Sequence, residues 1–183
     1  MTMMAGSHVA VGVAAWAWVA PHLGLPALNP VALALAIGGA LLPDIDHPQS
    51  WVGRRVRVIS RPLAALIGHR GFTHSILAVV ACGLLLRWRG LGRAVVDPLV
   101  VGYLSHLAAD LMTSGGLRLA WPSRRRFAIP LCKTGSPGEL VIVMSLVVWV
   151  GATALGARPA LGLEHLVSPS AWVGPRGTAR SSP

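Results

Sequence analysis

The sequence predicts an all-α fold, a polytopic membrane helical bundle of about four to five spans with a metal site at one face. Three observations carry that expectation. The first is composition: 54% of the 183 residues are hydrophobic and only 12% are charged, about half the charged fraction of an ordinary soluble domain, roughly 25%. Mean hydropathy is +0.63. The second is the punctuation of the apolar runs by proline, glycine and arginine. The third is the placement of the scarce acidic residues beside histidines at the ends of those runs.

Five apolar segments qualify or nearly qualify as spans, which need roughly 17–25 mostly apolar residues. The first runs from His8 to about Ala20, with Pro21 and Pro26 ending it. The second runs from Pro30 to Leu42 and stops at Pro43. The third covers about Phe72 to Leu86, the fourth Val95 to Met112 before Gly115-Gly116, and the fifth Glu139 to Leu155. Several are short, and short spans thin the bilayer or sit partly at its interface. Residues 1–8 hold no Lys or Arg, so the first run lacks the positive n-region of a signal peptide and reads as a retained helix.

Between the second and third runs, Val52, Val56, Ile59, Leu63 and Leu66 recur at helical spacing, with Arg54, Arg57 and Arg61 on another stripe. This is the pattern of an amphipathic segment on the membrane surface, interrupted at Pro62. Residues 123–138 read as a basic loop. The embedded domain spans residues 1–167, and the Ser-, Pro- and Gly-rich tail, 168–183, is expected to be disordered. Cys82 sits in an apolar run and Cys132 in the basic loop, so no disulfide framework is implied.

The net charge of +10 lies mostly between the apolar runs. It points to membrane topology and anionic lipid, with no nucleic-acid partner expected. With five spans, one face receives ten of the sixteen Lys and Arg (Arg54, Arg55, Arg57, Arg61, Arg70, Arg118, Arg124, Arg125, Arg126 and Lys133) and the other receives six. The richer face is expected to be cytoplasmic.

Three of the four aspartates lie in two short motifs. Pro43-Asp44-Ile45-Asp46-His47 ends the second run; its carboxylates and imidazole are ligands for zinc, manganese or iron, or simply a polar stop to a helix. His69-Arg70-Gly71-Phe72-Thr73-His74-Ser75 opens the third run. Arg70, near a helix N-terminus, suits a phosphate or carboxylate. His106 and Asp110, at i and i+4 inside the fourth run, point the same way and must face the bundle interior. They read as ligands or as an interhelical hydrogen bond. His8 opens the first run and Glu139 the fifth, where a carboxylate also suits the helix dipole.

Convergence is the strongest argument for the ligand readings. The chain reverses at each span, so His8, Asp44, Asp46, His69, His74, His106, Asp110 and Glu139 all belong to one face of the bundle, the face expected to be cytoplasmic. His22 and His165 fall on the other side and read as incidental.

These motifs resemble a known family. His8-x-x-x-Gly12, LLPDIDHPQS, GHRGFTHS, YLSHLAADLMTSGG and LAWPSRRRF, in that order over roughly residues 5–145, resemble the YdjM-like membrane-bound metal-dependent hydrolases of bacteria. That family is in turn distantly similar to the zinc-dependent phospholipase C and nuclease P1 group. The resemblance implies metal ligands His8, Asp44, Asp46, His69, His74, His106 and Asp110. The divalent metal is expected to be zinc, with manganese and iron as alternatives. Hydrolysis of a phosphoester in or near the membrane is the expected activity, on a small-molecule or lipid substrate. Arg70 would hold the phosphate and Asp46 or Glu139 would serve as general base. Two other functions fit the same residues: an ion- or proton-coupled transporter using buried His and Asp, and a non-catalytic, metal-stabilised membrane assembly or regulatory protein. No HExxH zinc-protease sequence is present.

Overall fold

In the computed structural model, residues 5–67, 72–123, 125–129, 131 and 135–154 are described. They form six α-helices: α1 Ala5–His22, α2 Pro30–Leu41, α3 Arg57–Ile67, α4 Ile76–Trp88, α5 Arg93–Leu111 and α6 Pro137–Ala154. Two short 3-10 turns, Pro43–Asp46 and Phe72–His74, precede α3 and α4. Among the described residues there is no β-strand, only one isolated bridge between Leu117 and Phe127.

Three helices form the centre, and each presents small residues at i, i+4 spacing. On α1 the buried stripe is His8, Gly12, Trp16 and Ala20; on α2 it is Ala32, Ala36 and Ala40, with Gly39 beside it; on α5 it is Gly102, His106 and Asp110. Small side chains let helix backbones meet closely. A Cβ at Gly39 would stand 2.1 Å from the Leu99 carbonyl oxygen, and one at Gly102 would stand 2.0 Å from the Ala36 carbonyl oxygen. Only glycine fits at either contact. The same three stripes carry His8, His106 and Asp110, so close packing and ligand placement are set by one periodicity.

Capping fixes where the helices begin. The Asn29 side chain accepts from the N–H groups of Val31 and Ala32 at 2.9 and 3.1 Å, with Pro30 in the first turn, where its missing N–H costs nothing. Ser75 caps α4 by accepting from the Ala78 N–H at 3.2 Å. Two prolines sit differently from the sequence reading, and α4 begins at Ile76, after the Phe72–His74 turn. Helix α1 continues through Pro21 to His22, one turn being enough to absorb the lost hydrogen bond near a free end. Pro62 sits inside α3 rather than interrupting it.

By length and composition, α5 and α6 can cross a membrane. Helices α2 and α4 have 12 and 13 residues, about 18–20 Å at 1.5 Å per residue, short of a hydrocarbon core of about 30 Å. Helix α6 packs against α1 and leaves Leu140, Val141, Met144, Val147 and Val148 exposed.

Candidate metal centre

His8 ends the α1 stripe, Asp44 and Asp46 lie on the turn after α2, His74 closes the turn before α4, and His106 and Asp110 lie one helical turn apart on α5. Four chain segments thus meet at one end of the bundle. All six side chains are buried, with His8, Asp46, His74 and His106 at 0% exposure and Asp110 at 1%. Burying that many ionisable groups is costly unless they compensate one another or hold an ion.

The ring nitrogens and carboxylates converge on one region. His8 Nε2 is 3.5 Å from Asp110 Oδ1, and His106 Nε2 is 3.8 Å from Asp110 Oδ2. His74 Nε2 is 3.9 Å from Asp110 Oδ2 and 4.0 Å from Asp44 Oδ1, which is also 4.0 Å from His106 Nε2. The His8 and His106 rings stack at 3.9 Å between centroids. Two overlapping sets, His8–His106–Asp110 and Asp44–His74–His106, could each hold a metal ion, and His106 belongs to both.

Hydrogen bonds at the far side of two rings set their orientation. His106 Nδ1 lies 2.7 Å from the Ala40 carbonyl oxygen. A carbonyl only accepts, so that nitrogen carries the proton and Nε2 offers its lone pair to the cluster. Behind His74, Nδ1 lies 3.1 Å from Thr73 Oγ1, and the Thr73 hydroxyl donates to Asp46 Oδ2. Asp46 therefore faces the back of His74, with its Oδ2 3.8 Å from Nδ1. His74 Nε2 and His106 Nε2 approach to 3.4 Å. Two facing lone pairs at that distance repel unless a cation or a proton lies between them. Asp46 Oδ1 and His8 Nδ1 are buried without a hydrogen-bond partner among the described residues. Burial raises the Asp44 carboxyl from its ordinary value, and His8 and then His74 pull it back down.

Glu139 is buried at the start of α6, outside both sets. Its Oε1 accepts from the Ser7 hydroxyl at 2.5 Å and its Oε2 from the Gly135 N–H at 2.6 Å. Ser7, Gly135 and Glu139 line a cavity of about 340 Å³. His69 and Arg70 lie outside the described residues, as do Cys132, His165 and the 168–183 tail. His22 is exposed beside Trp18, away from the cluster.

The sequence reading missed Thr73, the Ala40 carbonyl, Ser7 and Tyr103, whose hydroxyl donates to the Thr73 carbonyl at 2.6 Å. A hydroxyl directly before His74 was the one available signal; a backbone carbonyl on another helix leaves none.

The profile of a family described as YdjM inner membrane protein matches residues 3–176. The chain belongs to this family. It is 44% identical over 121 residues to the inner membrane protein YdjM of Escherichia coli (strain K12), and equally to that of Shigella flexneri. These matches cover 62% of this chain, which spans 62% of the length of either relative. It is 34% identical over 146 residues to the protein YvsG of Bacillus subtilis (strain 168), covering 79% of this chain and 89% of that one. No solved structure matches the chain. Membership in the YdjM family makes this a membrane protein, located in the cell membrane with the bilayer as its surroundings.

Proposed function

We propose that the chain is a multi-pass, membrane-bound, metal-dependent hydrolase acting on a phosphoester in or near the bilayer. The observation that supports this most is the convergence of five buried donors, His8, Asp44, His74, His106 and Asp110, six pairs of which approach to 3.4–4.0 Å. Ligands of one tetrahedral ion at about 2.0–2.2 Å stand roughly 3.4 Å apart, so the spacing fits. The mixture of imidazole and carboxylate suits zinc first, then manganese or iron.

When bound, a divalent cation supplies Lewis acidity at a phosphoryl oxygen and makes water a competent nucleophile near neutral pH. The chain's own groups supply the rest. The Ala40 carbonyl holds the His106 ring in its ligating orientation. Glu139 lines a cavity beside Ser7, the neighbour of His8, and in this reading accepts a proton from water entering there. Asp46 is the alternative base, and the sequence motif alone supports His69 as a further ligand and Arg70 as the group that steadies the phosphate.

In this reading four to five apolar segments lie in the bilayer, the shorter helices within a locally thinned one. The cluster opens at the cytoplasmic face, where the basic loops gather.

Elemental analysis of detergent-purified protein, paired with hydrolysis of lipid phosphoesters and a chromogenic phosphodiester in micelles, tests the proposal. Asp110→Ala is expected to lose metal and activity together, whereas Arg70→Ala keeps the metal and loses most activity. Hydrolysis by wild type that survives Asp110→Ala unchanged refutes the mechanism, and Arg70→Ala without effect on turnover removes that residue from it.

A further inference from the structure

Resting on the metal-centre reading above, we infer that Thr73 is a positioning residue: its hydroxyl, polarised by Asp46, fixes the proton of His74 on Nδ1 and so keeps Nε2 free to ligate.

A hydroxyl has one hydrogen to give and two lone pairs to receive with. The Thr73 hydrogen is committed to Asp46 Oδ2, since an ionised carboxylate only accepts. At 3.1 Å from His74 Nδ1, Thr73 Oγ1 must then be the acceptor and Nδ1–H the donor. That leaves the lone pair of His74 on Nε2, the nitrogen facing Asp44, Asp110 and His106. The chain Asp46, Thr73, His74 thus performs what a carboxylate does directly behind many ligating histidines, with a hydroxyl inserted.

Two further contacts hold the device in place. Tyr103 donates to the Thr73 carbonyl at 2.6 Å, and the Ser75 hydroxyl donates to the Phe72 carbonyl at 2.6 Å. Tyr103 lies one turn before His106 on α5, so one helix supplies a ligand and pins the turn that carries another. Thr73 and Asp46 are 8% and 0% exposed, which keeps water from competing for these hydrogen bonds. The assignment gives Asp46 an orienting role rather than a place among the ligands.

Substituting the hydroxyl tests this. Thr73→Val removes it at nearly constant shape, and Thr73→Ser restores it. Titration of metal-stripped protein with zinc should show Thr73→Val weakened roughly 10–100-fold, the usual effect of removing a group behind a ligand, and Thr73→Ser within a few-fold of wild type. The second readout needs no metal. In ¹⁵N-histidine-labelled, metal-free wild type, long-range ¹H–¹⁵N correlations should place the His74 proton on Nδ1, the signal being assigned by its loss in His74→Gln. Wild-type zinc affinity in Thr73→Val, or a proton on Nε2 in wild type, overturns the inference. Should Thr73→Val fail to fold, the wild-type tautomer still decides it. Should wild type bind no metal, the metal-centre reading fails separately, and the tautomer measurement still stands as the test of the Asp46–Thr73–His74 chain.

Discussion

The two ends of α4 and α5 both gather acidic and basic side chains, and they do so in opposite ways. At one end Asp97 meets Arg87 at 2.8 Å and Arg93 at 3.0 Å, direct contacts between groups whose arginines are 43% and 57% exposed. At the other, the carboxylates of Asp44 and Asp110 and the imidazoles of His8, His74 and His106 are buried, and six pairs among them approach to 3.4–4.0 Å. Charges that only neutralise each other close to hydrogen-bond distance. Groups gathered around a common point, with His74 and His106 braced from behind, are arranged for something in the middle. The comparison separates a surface ion pair from a site more sharply than residue type does, since both ends draw on Asp and a nitrogen base.

The largest effect expected from breaking this contrast is at the buried end. His106→Ala together with Asp110→Ala should bring metal content to background by elemental analysis. Either single change removes a partner from a buried set, for which a cost of about 3–5 kcal/mol is typical. The double variant retaining wild-type metal would remove the site assignment.

The backbone beneath the site gives a second contrast, between neighbouring glycines of α2. Gly39→Ala drives a methyl group into the Leu99 carbonyl, which is helix backbone and cannot rotate away. Destabilisation of about 1–3 kcal/mol or more should accompany weaker metal binding, because α2 also supplies the carbonyl that orients His106. Gly38 has nothing within 4 Å of a built Cβ, so Gly38→Ala should stabilise by about 0.5–1 kcal/mol. Thermal unfolding of the two variants in one detergent checks the opposite signs. A neutral Gly39→Ala would mean that α2 and α5 are not in backbone contact.

Much of the cluster was legible because its grammar is local. His106 and Asp110 sit at helical spacing, and Asp44 and His74 abut helix ends marked by Pro43 and Ser75. Chain reversal then predicts that they meet. The all-helical class followed from composition and from runs cut by proline and glycine. The bracing contacts were not legible. Ala40 orients His106 through a backbone carbonyl, and the approach that permits it depends on Gly39 and Gly102 meeting carbonyls of other helices, pairings that no single-segment pattern encodes. Span count was less legible for a related reason: two helices, α5 and α6, are long and apolar enough to cross a membrane, where four to five spans were expected. The apolar runs of α2 and α4 look like spans by composition, while their helices end at 12 and 13 residues because Leu41 and Trp88 are followed by proline- and glycine-containing turns.

Glu139 lies between the two ends in character. It is buried like the cluster but paired directly, to Ser7 and Gly135. Glu139→Gln keeps the shape, yet its amide nitrogen cannot accept from the Gly135 N–H if its oxygen receives the Ser7 hydroxyl. A loss of about 1.5–3 kcal/mol is expected for a hydrogen bond to a charged group, with metal content unchanged. If Glu139 is the general base, kcat falls by about 10²–10⁴-fold as well. Equal turnover in the variant would remove Glu139 from the mechanism.

The smallest effect belongs to the exposed pair, and its smallness is informative. Asp97→Asn leaves Arg87 and Arg93 without a carboxylate, but both arginines reach solvent, so neither is stranded. Exposed ion pairs contribute about 0–1 kcal/mol, and salt screens what remains. The variant should therefore unfold within about 1 kcal/mol of wild type at low ionic strength and indistinguishably from it at high salt, with full metal content. Thermal unfolding at two salt concentrations, followed by elemental analysis, makes the measurement. A metal loss in Asp97→Asn comparable to that in Asp110→Ala would mean that the ends of α5 are coupled. The distinction between an ion pair that closes on itself and a cluster held open would then no longer account for where the metal binds.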